Sequence, residues 1–126
     1  MLNSNNMPFF DLCDGIFLNY GWQPQELVRS KMNAGERSVD VYAGIDVFGR
    51  GTFGGGGLSC DLACAEIKKA GVSCAVFAPG WIFEDEAFED KSKFDANLER
   101  FWQQFSCFRA APVAGLPFRT SFNAGE

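Results

Sequence analysis

Strand-like apolar runs alternate with helical segments along the chain of 126 residues. The runs are nearly continuous, as expected for strands that are buried on both faces of a sheet. Four segments are predicted as strands: residues 15–20, 39–48, 72–78 and 116–122. Because helices separate the first three strands, this order predicts an α/β fold with a parallel sheet and right-handed crossovers.

Start and stop signals bound the helical segments. Pro24 begins the first predicted helix and Gly35 ends it. Ser59 is the predicted N-cap of the second helix, which ends at Gly71, and Ser92 begins a third helix with an approximate capping box. The predicted core-facing side chains are Leu27, Val28 and Lys31 or Met32, then Leu62, Ala63, Ile67 and Ala70, then Phe94, Leu98, Phe101, Trp102 and Phe105.

Three strand–helix units are too few to close a barrel, because an eight-stranded barrel needs about 250 residues. The chain is therefore either a small open sheet or part of a barrel. In a barrel fragment the helices would cover only the outer face, and an apolar inner face would be open to water. The predicted inner face includes Phe17, Ile45, Val47 and Val76.

The composition excludes several classes of function. The chain has no histidine, which excludes Ser-His and Cys-His nucleophile pairs and His-ligated metals. Eleven basic and sixteen acidic residues give a net charge of −5, which disfavours binding to nucleic acids and anionic membranes. Five cysteines without a C-x-x-C pair favour reduced thiols over a zinc site or disulfides. We expect neither a metal nor a cofactor.

The same features predict a cytosolic location. The first residues contain no basic segment followed by an apolar one, so no signal peptide is expected. The longest uncharged stretch, residues 70–83, is too short to cross a bilayer and contains Pro79 and Gly80. Reduced cysteines fit the same compartment.

Aromatic and polar side chains follow each of the first three predicted strands. They are Asn19, Tyr20 and Trp22, then Asp46, Phe48 and Arg50, then Trp81, Phe83 and Glu84. The carboxyl ends of barrel strands converge on one face, where active sites are built. Flat rings stack on the C–H faces of sugars while polar neighbours bind the hydroxyl groups. The pattern indicates an aromatic surface that binds sugars. The alternative for each tryptophan is that it only caps the hydrophobic core.

Two motifs at the second strand have alternative interpretations. Asp46 lies in an apolar strand and needs a partner, for which Arg50 is the candidate. This pair could bind a ligand or be purely structural. Residues 49–54 match G-x-G-x-x-G, but further glycines delay the helix and no acidic residue ends the next strand. A mobile loop beside the substrate is favoured over a nucleotide site.

Four segments resemble, in the same order, signatures of the cytosolic endo-β-N-acetylglucosaminidases of glycoside hydrolase family 85. Residues 13–22 read CDGIFLNYGW, residues 40–51 read DVYAGIDVFGRG and residues 75–84 read AVFAPGWIFE. The closing LPFRTSFNAG, residues 116–125, is similar to the start of the β-sandwich region that follows the barrel in that family. Residues 2–10 resemble the helix before the first of these strands, so the resemblance covers essentially the whole chain.

The resemblance implies that residues 1–115 form strands six to eight of a (β/α)8 barrel and that residues 116–126 start the β-sandwich segment. Family members cut the GlcNAc–GlcNAc core of N-linked glycans by a substrate-assisted, retaining mechanism, an exception among two-carboxylate glycosidases. An Asn orients the substrate's 2-acetamido group and a Glu is the acid/base. This Asn-x-Glu pair lies on the fourth strand, upstream of every segment present here. The resemblance therefore implies a fragment without catalytic residues, whose expected partner is the missing N-terminal barrel half.

The resemblance also implies which residues of this sequence bind substrate. Trp22 falls on a sugar-stacking Trp, and Asp46 and Arg50 match the Asp-Val-Phe-x-Arg-Gly signature. Phe83 stands where many members have Tyr, which removes a hydroxyl, and Gly21 replaces a larger residue. The predicted substrate-binding residues are Asn19, Tyr20, Trp22, Asp46, Arg50, Trp81 and Phe83. Two functions compete with a glycosidase fragment: a non-catalytic carbohydrate-binding module, and a small independent α/β domain with a ligand at the glycine loop.

Overall fold

The structure of the chain is a computed structural model that describes residues 1–85 and 90–108. Its strands are β1 (Ile16–Leu18), β2 (Val41–Asp46) and β3 (Ser73–Phe77). Its α-helices are α1 (Met7–Leu12), α2 (Pro24–Ala34), α3 (Cys60–Ala70), α4 (Trp81–Glu84) and α5 (Phe94–Gln103). Short 3-10 turns cover Gly35–Asp40, Phe53–Gly55, Gly57–Ser59, Lys91–Lys93 and Ser106–Phe108. The predicted strand at residues 116–122 and the predicted domain boundary after residue 115 lie outside the described residues.

The three strands form one parallel sheet in the order β1-β2-β3. Leu18 lies opposite Ala43 in the first pair, and Ile45 lies opposite Val76 in the second. Each connection contains a helix, which is the usual crossover between parallel strands. The α/β prediction is therefore confirmed for the described residues.

The two faces of the sheet differ in what covers them. Val41, Ala43 and Ile45 are fully buried in the core, where α2 and α3 pack on the sheet. Because side chains alternate along a strand, Tyr42 lies on the other face, which we call the open face, and it is exposed. Phe17 pairs with Tyr42 and is exposed on the open face as well.

This alternation corrects the predicted inner face. Phe17 lies on the open face, as predicted, but Ile45 and Val47 are fully buried in the core on the helix side. Val76 lies opposite Ile45 and packs against the same core. A shift of one residue in a strand exchanges its two faces, and the apolar run alone did not reveal which face the helices cover.

Helix α2 has the predicted ends but a different buried face. The Gln23 backbone N–H donates to Glu26 Oε2 at 2.8 Å in a capping box, and Gly35 ends the helix with φ at 58°. Leu27 and Ser30 are buried, whereas the predicted core residues Val28 and Met32 are exposed. Ser30 is buried because its hydroxyl accepts from the Leu2 backbone N–H at 2.9 Å and donates to the Glu26 carbonyl at 2.7 Å.

The buried faces and the ends of the other two long helices agree with the prediction in part. In α3, Ala63, Ile67 and Ala70 are buried as predicted, while Leu62 is exposed. Gly71 ends α3 in the left-handed conformation, and Ser59 precedes it without a side-chain capping bond.

Helix α5 begins at Phe94 and its N-cap is Lys93, not the predicted Ser92. The Ser92 hydroxyl donates to Asp90 instead. Phe101 and Phe105 are buried, but Trp102, predicted to face the core, is 46% exposed.

The cysteines show no disulfide. All five, Cys13, Cys60, Cys64, Cys74 and Cys107, are free thiols. Burial raises the pKa of Cys60 to about 12, and a hydrogen bond with Cys74 and burial raise the pKa of Cys64. No helix within residues 1–85 and 90–108 has the length and apolar character needed to cross a membrane.

Candidate functional site

The carboxyl ends of the three parallel strands bring together side chains that are far apart in sequence. Tyr20 follows β1, Phe48 and Arg50 follow β2, and Phe77 ends β3. The rings of Tyr20 and Phe77 stack with centroids 6.2 Å apart and an interplanar angle of 25°. Asp46, the last residue of β2, lies opposite Phe77 in the sheet. These five residues are called the strand-end cluster below.

Asp46 and Arg50 form the predicted ion pair. The Asp46 side chain is fully buried, and its Oδ2 accepts from Arg50 Nε at 2.8 Å while Oδ1 accepts from Arg50 Nη2 at 3.2 Å. The backbone N–H groups of Phe48 and Arg50 donate to the same two oxygens at 3.2 Å. The carboxylate therefore receives four hydrogen bonds, which compensates for its removal from water.

These bonds determine the charge of Asp46. The hydrogen bond from Arg50 lowers the pKa of Asp46 below its usual value of 3.8 and outweighs the opposing effect of burial. A general acid for glycoside hydrolysis needs a raised pKa instead. Asp46 is thus an ionised structural anion at neutral pH, unsuited to protonate a leaving group.

Arg50 is held at one edge and open at the other. Its side chain is 61% exposed, and its guanidinium carbon lies 5.3 Å from the Phe48 ring centroid and 5.9 Å from the Phe77 ring centroid. Such distances allow cation–π attraction. Sequence reasoning missed Phe77, which is 48% exposed; the available signal was its position as the last aromatic residue of a predicted strand.

The glycine-rich loop folds back onto the end of β2. The Gly57 backbone N–H donates to the Val47 carbonyl at 2.7 Å, and the Gly49 N–H donates to the Asp46 carbonyl at 2.9 Å. A Cβ at Gly56 would lie 2.6 Å from the nitrogen of Gly49. Glycine is therefore required here by close backbone approach. The loop stands beside Asp46 and shapes this edge of the sheet.

Trp22 lies in the hydrophobic core rather than at the surface. It is 2% exposed, its Nε1 donates to the Gly44 carbonyl at 2.8 Å, and its ring stacks on Phe53 at 5.7 Å and 17°. In the described chain its faces are covered, so the sugar-stacking role of Trp22 stays a prediction.

The remaining predicted site residues occupy separate places. Trp81 is half-buried against Gly57, where a Cβ would lie 3.1 Å from its ring. Phe83 is exposed and meets Phe94 of α5 edge-to-face at 6.0 Å. Asn19 is exposed, and its Oδ1 accepts from the Tyr20 backbone N–H at 2.8 Å. Of the seven predicted residues, only Tyr20, Asp46 and Arg50 share the strand-end cluster.

Other features of the described chain lie apart from the strand-end cluster. An Asn-x-Glu tripeptide occurs at residues 97–99, but it lies inside α5, where the Glu99 side chain is exposed, and not after a strand. A groove of about 530 Å³ on the helix side is lined by Asp61, Ala65, Lys68, Lys69, Gln104 and Cys107. Among the described residues, no group of three or more acidic or cysteine side chains could hold a metal ion.

Comparison with known proteins gives a consistent set of relatives. Residues 1–126 match the model of the family described as glycosyl hydrolase family 85. Cytosolic endo-beta-N-acetylglucosaminidase 1 of Arabidopsis thaliana is 44% identical over 128 residues, which cover 98% of this chain and 18% of the relative. The cytosolic endo-beta-N-acetylglucosaminidase of Homo sapiens is 44% identical over 128 residues, covering 98% of this chain and 16% of the relative. No solved structure matches the chain.

The matches cover nearly all of this chain but only a small part of each relative. The chain spans 16% to 18% of the length of these two relatives. Their names place them in the cytosol, in agreement with the location predicted for this chain. Because the family match extends over every residue, the chain belongs to glycosyl hydrolase family 85.

Proposed function

We propose that the chain is part of an endo-β-N-acetylglucosaminidase that hydrolyses the GlcNAc–GlcNAc core of N-linked glycans in the cytosol. Two findings support this activity: the match to a glycosidase family over residues 1–126 and the names of relatives at 44% identity. The substrate is an N-linked glycan or the glycoprotein that carries it.

Within such an enzyme, residues 1–115 form strands six to eight of a (β/α)8 barrel and residues 116–126 begin the following β-sandwich segment. The parallel order β1-β2-β3 supports this arrangement, and so does the position of α2 and α3 on one face of the sheet. In a barrel this face is the outside. The open face with Phe17 and Tyr42 would then be covered by the missing N-terminal barrel half.

The proposed reaction is substrate-assisted. The 2-acetamido oxygen of the substrate attacks the anomeric carbon as the glycosidic C–O bond breaks, and a Glu outside this chain protonates the leaving oxygen. Water then opens the cyclic intermediate, and the two steps retain the anomeric configuration. We assign sugar contacts rather than proton transfer to this chain, because Asp46 is ionised and the Asn-x-Glu tripeptide at residues 97–99 lies in a helix.

The proposed substrate-binding site consists of Asn19, Tyr20, Trp22, Asp46, Arg50, Trp81 and Phe83, and the buried Asp46 acts in it by holding Arg50. The strand-end cluster is the single observation that best supports a sugar site in this chain. It combines exposed aromatic rings with an anchored hydrogen-bond donor at the edge where barrel active sites are built.

The test is a hybrid enzyme in which residues 1–126 of this chain replace the matching segment of the Arabidopsis relative. We expect the hybrid enzyme to release N-glycans from a glycoprotein substrate. A second hybrid with the matching segment of the human relative serves as a positive control. A folded but inactive hybrid, beside an active human control, would contradict the proposal.

A non-catalytic carbohydrate-binding module is the second candidate. Its support is the strand-end cluster, which offers exposed aromatic rings and an anchored hydrogen-bond donor, whereas the buried, ionised Asp46 offers no proton for catalysis at neutral pH. A module would bind the glycan through this chain but would not restore hydrolysis in the hybrid enzyme.

A further inference from the structure

Arg50 has unused hydrogen-bond donors in a fixed position. A guanidinium carries five N–H donors. Asp46 accepts two of those of Arg50, one from Nε and one from Nη2. Within residues 1–85 and 90–108, the Nη1 group has no hydrogen-bond acceptor. The two bonds to a buried carboxylate fix the plane of the guanidinium and therefore the direction of its outer donors.

A second arginine shows what a purely structural pair looks like in this chain. Arg37 donates from Nε to Asp40 at 3.0 Å, from Nη1 to the Phe10 carbonyl at 3.0 Å and from Nη2 to the Cys13 carbonyl at 2.7 Å. It also lies over the Phe10 ring at 4.3 Å. Every nitrogen of Arg37 thus bonds to the protein itself, in contrast to Arg50.

The charge of the cluster limits the chemistry of its ligand. Asp46 is buried and ionised, so it neutralises Arg50, and the chain as a whole carries a charge of −5. An anionic ligand would gain little net attraction here. A neutral ligand with hydroxyl groups could accept from Nη1, and its C–H face could lie on the half-exposed ring of Phe77, which Tyr20 supports by stacking.

We propose that Arg50 binds substrate directly, by donating from Nη1 to a hydroxyl group of a neutral sugar ring that packs on Phe77. Asp46 is its positioning residue, because it holds the guanidinium edge without reaching the surface. The identity of the ligand as part of an N-glycan rests on the proposed function. The inference adds a selectivity for neutral over acidic sugars at this position.

The test measures sugar binding by the 126-residue chain, tethered at low density so that molecules cannot associate. The probes are a neutral high-mannose oligosaccharide and a sialylated oligosaccharide. We expect Arg50→Lys to weaken binding of the neutral probe about tenfold, since a hydrogen bond to a charged group is lost. Lysine keeps a cation beside Asp46, so that the buried carboxylate is not left alone. Phe77→Leu provides a second variant at an exposed position, with the same direction of effect.

Arg37→Lys is the matched control, and we expect it to bind as the parent chain does. Circular dichroism checks that each variant is folded. Lowering the salt concentration should leave the affinity for the neutral probe unchanged and should not favour the sialylated probe.

The inference is overturned if Arg50→Lys binds like the parent, if both arginine variants lose binding equally, or if the parent binds no neutral sugar. Stronger binding of the sialylated probe at low salt overturns it as well. These outcomes are separate from the proposed function, because hydrolysis by the hybrid enzyme is measured independently of binding to the tethered chain.

Discussion

Asp46 combines complete burial with donors on both carboxylate oxygens, which makes it sensitive to the loss of one charge. In Asp46→Asn, an NH2 group would face the N–H donors of Arg50 and of the backbone. We expect the free energy of unfolding at neutral pH to fall by about 1–3 kcal/mol. Urea unfolding of the parent and the variant measures the difference.

The Asp46 carboxylate also makes the stability of the fold depend on pH, in a direction that its pKa determines. Because the folded pKa of Asp46 lies below its usual value of 3.8, the ionised pair stabilises the fold above that value. This stability is lost as the pH falls through the lower, folded pKa. The difference between parent and Asp46→Asn should therefore shrink between about pH 5 and about pH 2. A difference that stays constant with acid would show that the charge of Asp46 contributes nothing.

Trp22 and Trp102 provide a matched pair of substitutions. Trp22→Phe removes the donor to the Gly44 carbonyl inside the core, so we expect a loss of about 1–3 kcal/mol of stability. Trp102→Phe changes a ring that is 46% exposed and should alter stability by less than about 0.5 kcal/mol. Thermal unfolding compares the two, and an equal loss would contradict the placement of Trp22 in the core.

The ion pair was predictable from sequence, whereas the surroundings of Trp22 were not. A carboxylate in an apolar strand needs a partner, and Arg50 follows Asp46 by only four residues. By contrast, Trp22 contacts Gly44 and Phe53, which lie at least 22 residues away from it in the sequence. Only the packing of β2 and the glycine loop brings them to the indole ring.

Two substitutions in the glycine loop after β2 test how closely its backbone segments must pack against each other. Gly49 and Gly51 both have positive φ, at 79° and 76°, but a Cβ at Gly49 would meet the Gly55 carbonyl, whereas a Cβ at Gly51 has open space. Gly51→Ala should cost about 1–2 kcal/mol through backbone strain alone. Gly49→Ala should cost about 1–3 kcal/mol more, because the backbone must move. Equal losses in chemical unfolding would show that the loop does not pack as described.

Helix ends were easier to predict than helix faces. Pro24, Gly35 and Gly71 act through the local backbone conformation. The helix ends that they mark can therefore be predicted without knowing which residues pack against the helix. The buried face of α2 depends on partners instead: Ser30 is buried because it bonds to Leu2, and Met32 is exposed because no described element covers it. Hydrophobic periodicity alone cannot detect either effect.

For the whole molecule, the open face of the sheet determines behaviour in solution. Phe17, Tyr42 and Phe77 expose apolar surface there, and contiguous patches of this kind drive association. We expect the isolated chain to associate in sedimentation velocity experiments as its concentration rises. Tyr42→Glu should reduce this association, whereas Met32→Glu, which adds the same charge on the exposed side of α2, should not. A monomeric parent chain at all concentrations would show that the sheet is stable without a cover.

The isolated chain should not hydrolyse N-glycans. A positioned general acid contributes about 10²–10⁴-fold to such reactions, and Asp46 is ionised. The purified chain is assayed for glycan release beside Glu99→Gln, which removes the carboxylate of the helical Asn-x-Glu tripeptide. Glycan release that disappears in Glu99→Gln would contradict the assignment of α5 as a structural helix.

The central claim is that the strand-end cluster of this chain contacts the glycan within a complete barrel. Hydrogen exchange of the hybrid enzyme, with and without a neutral N-glycan, tests this claim most directly. We expect slower exchange on glycan binding in residues 16–22, 46–52 and 73–78. Protection confined to residues 61–69 and 104–107, which line the groove on the helix side, would contradict the account.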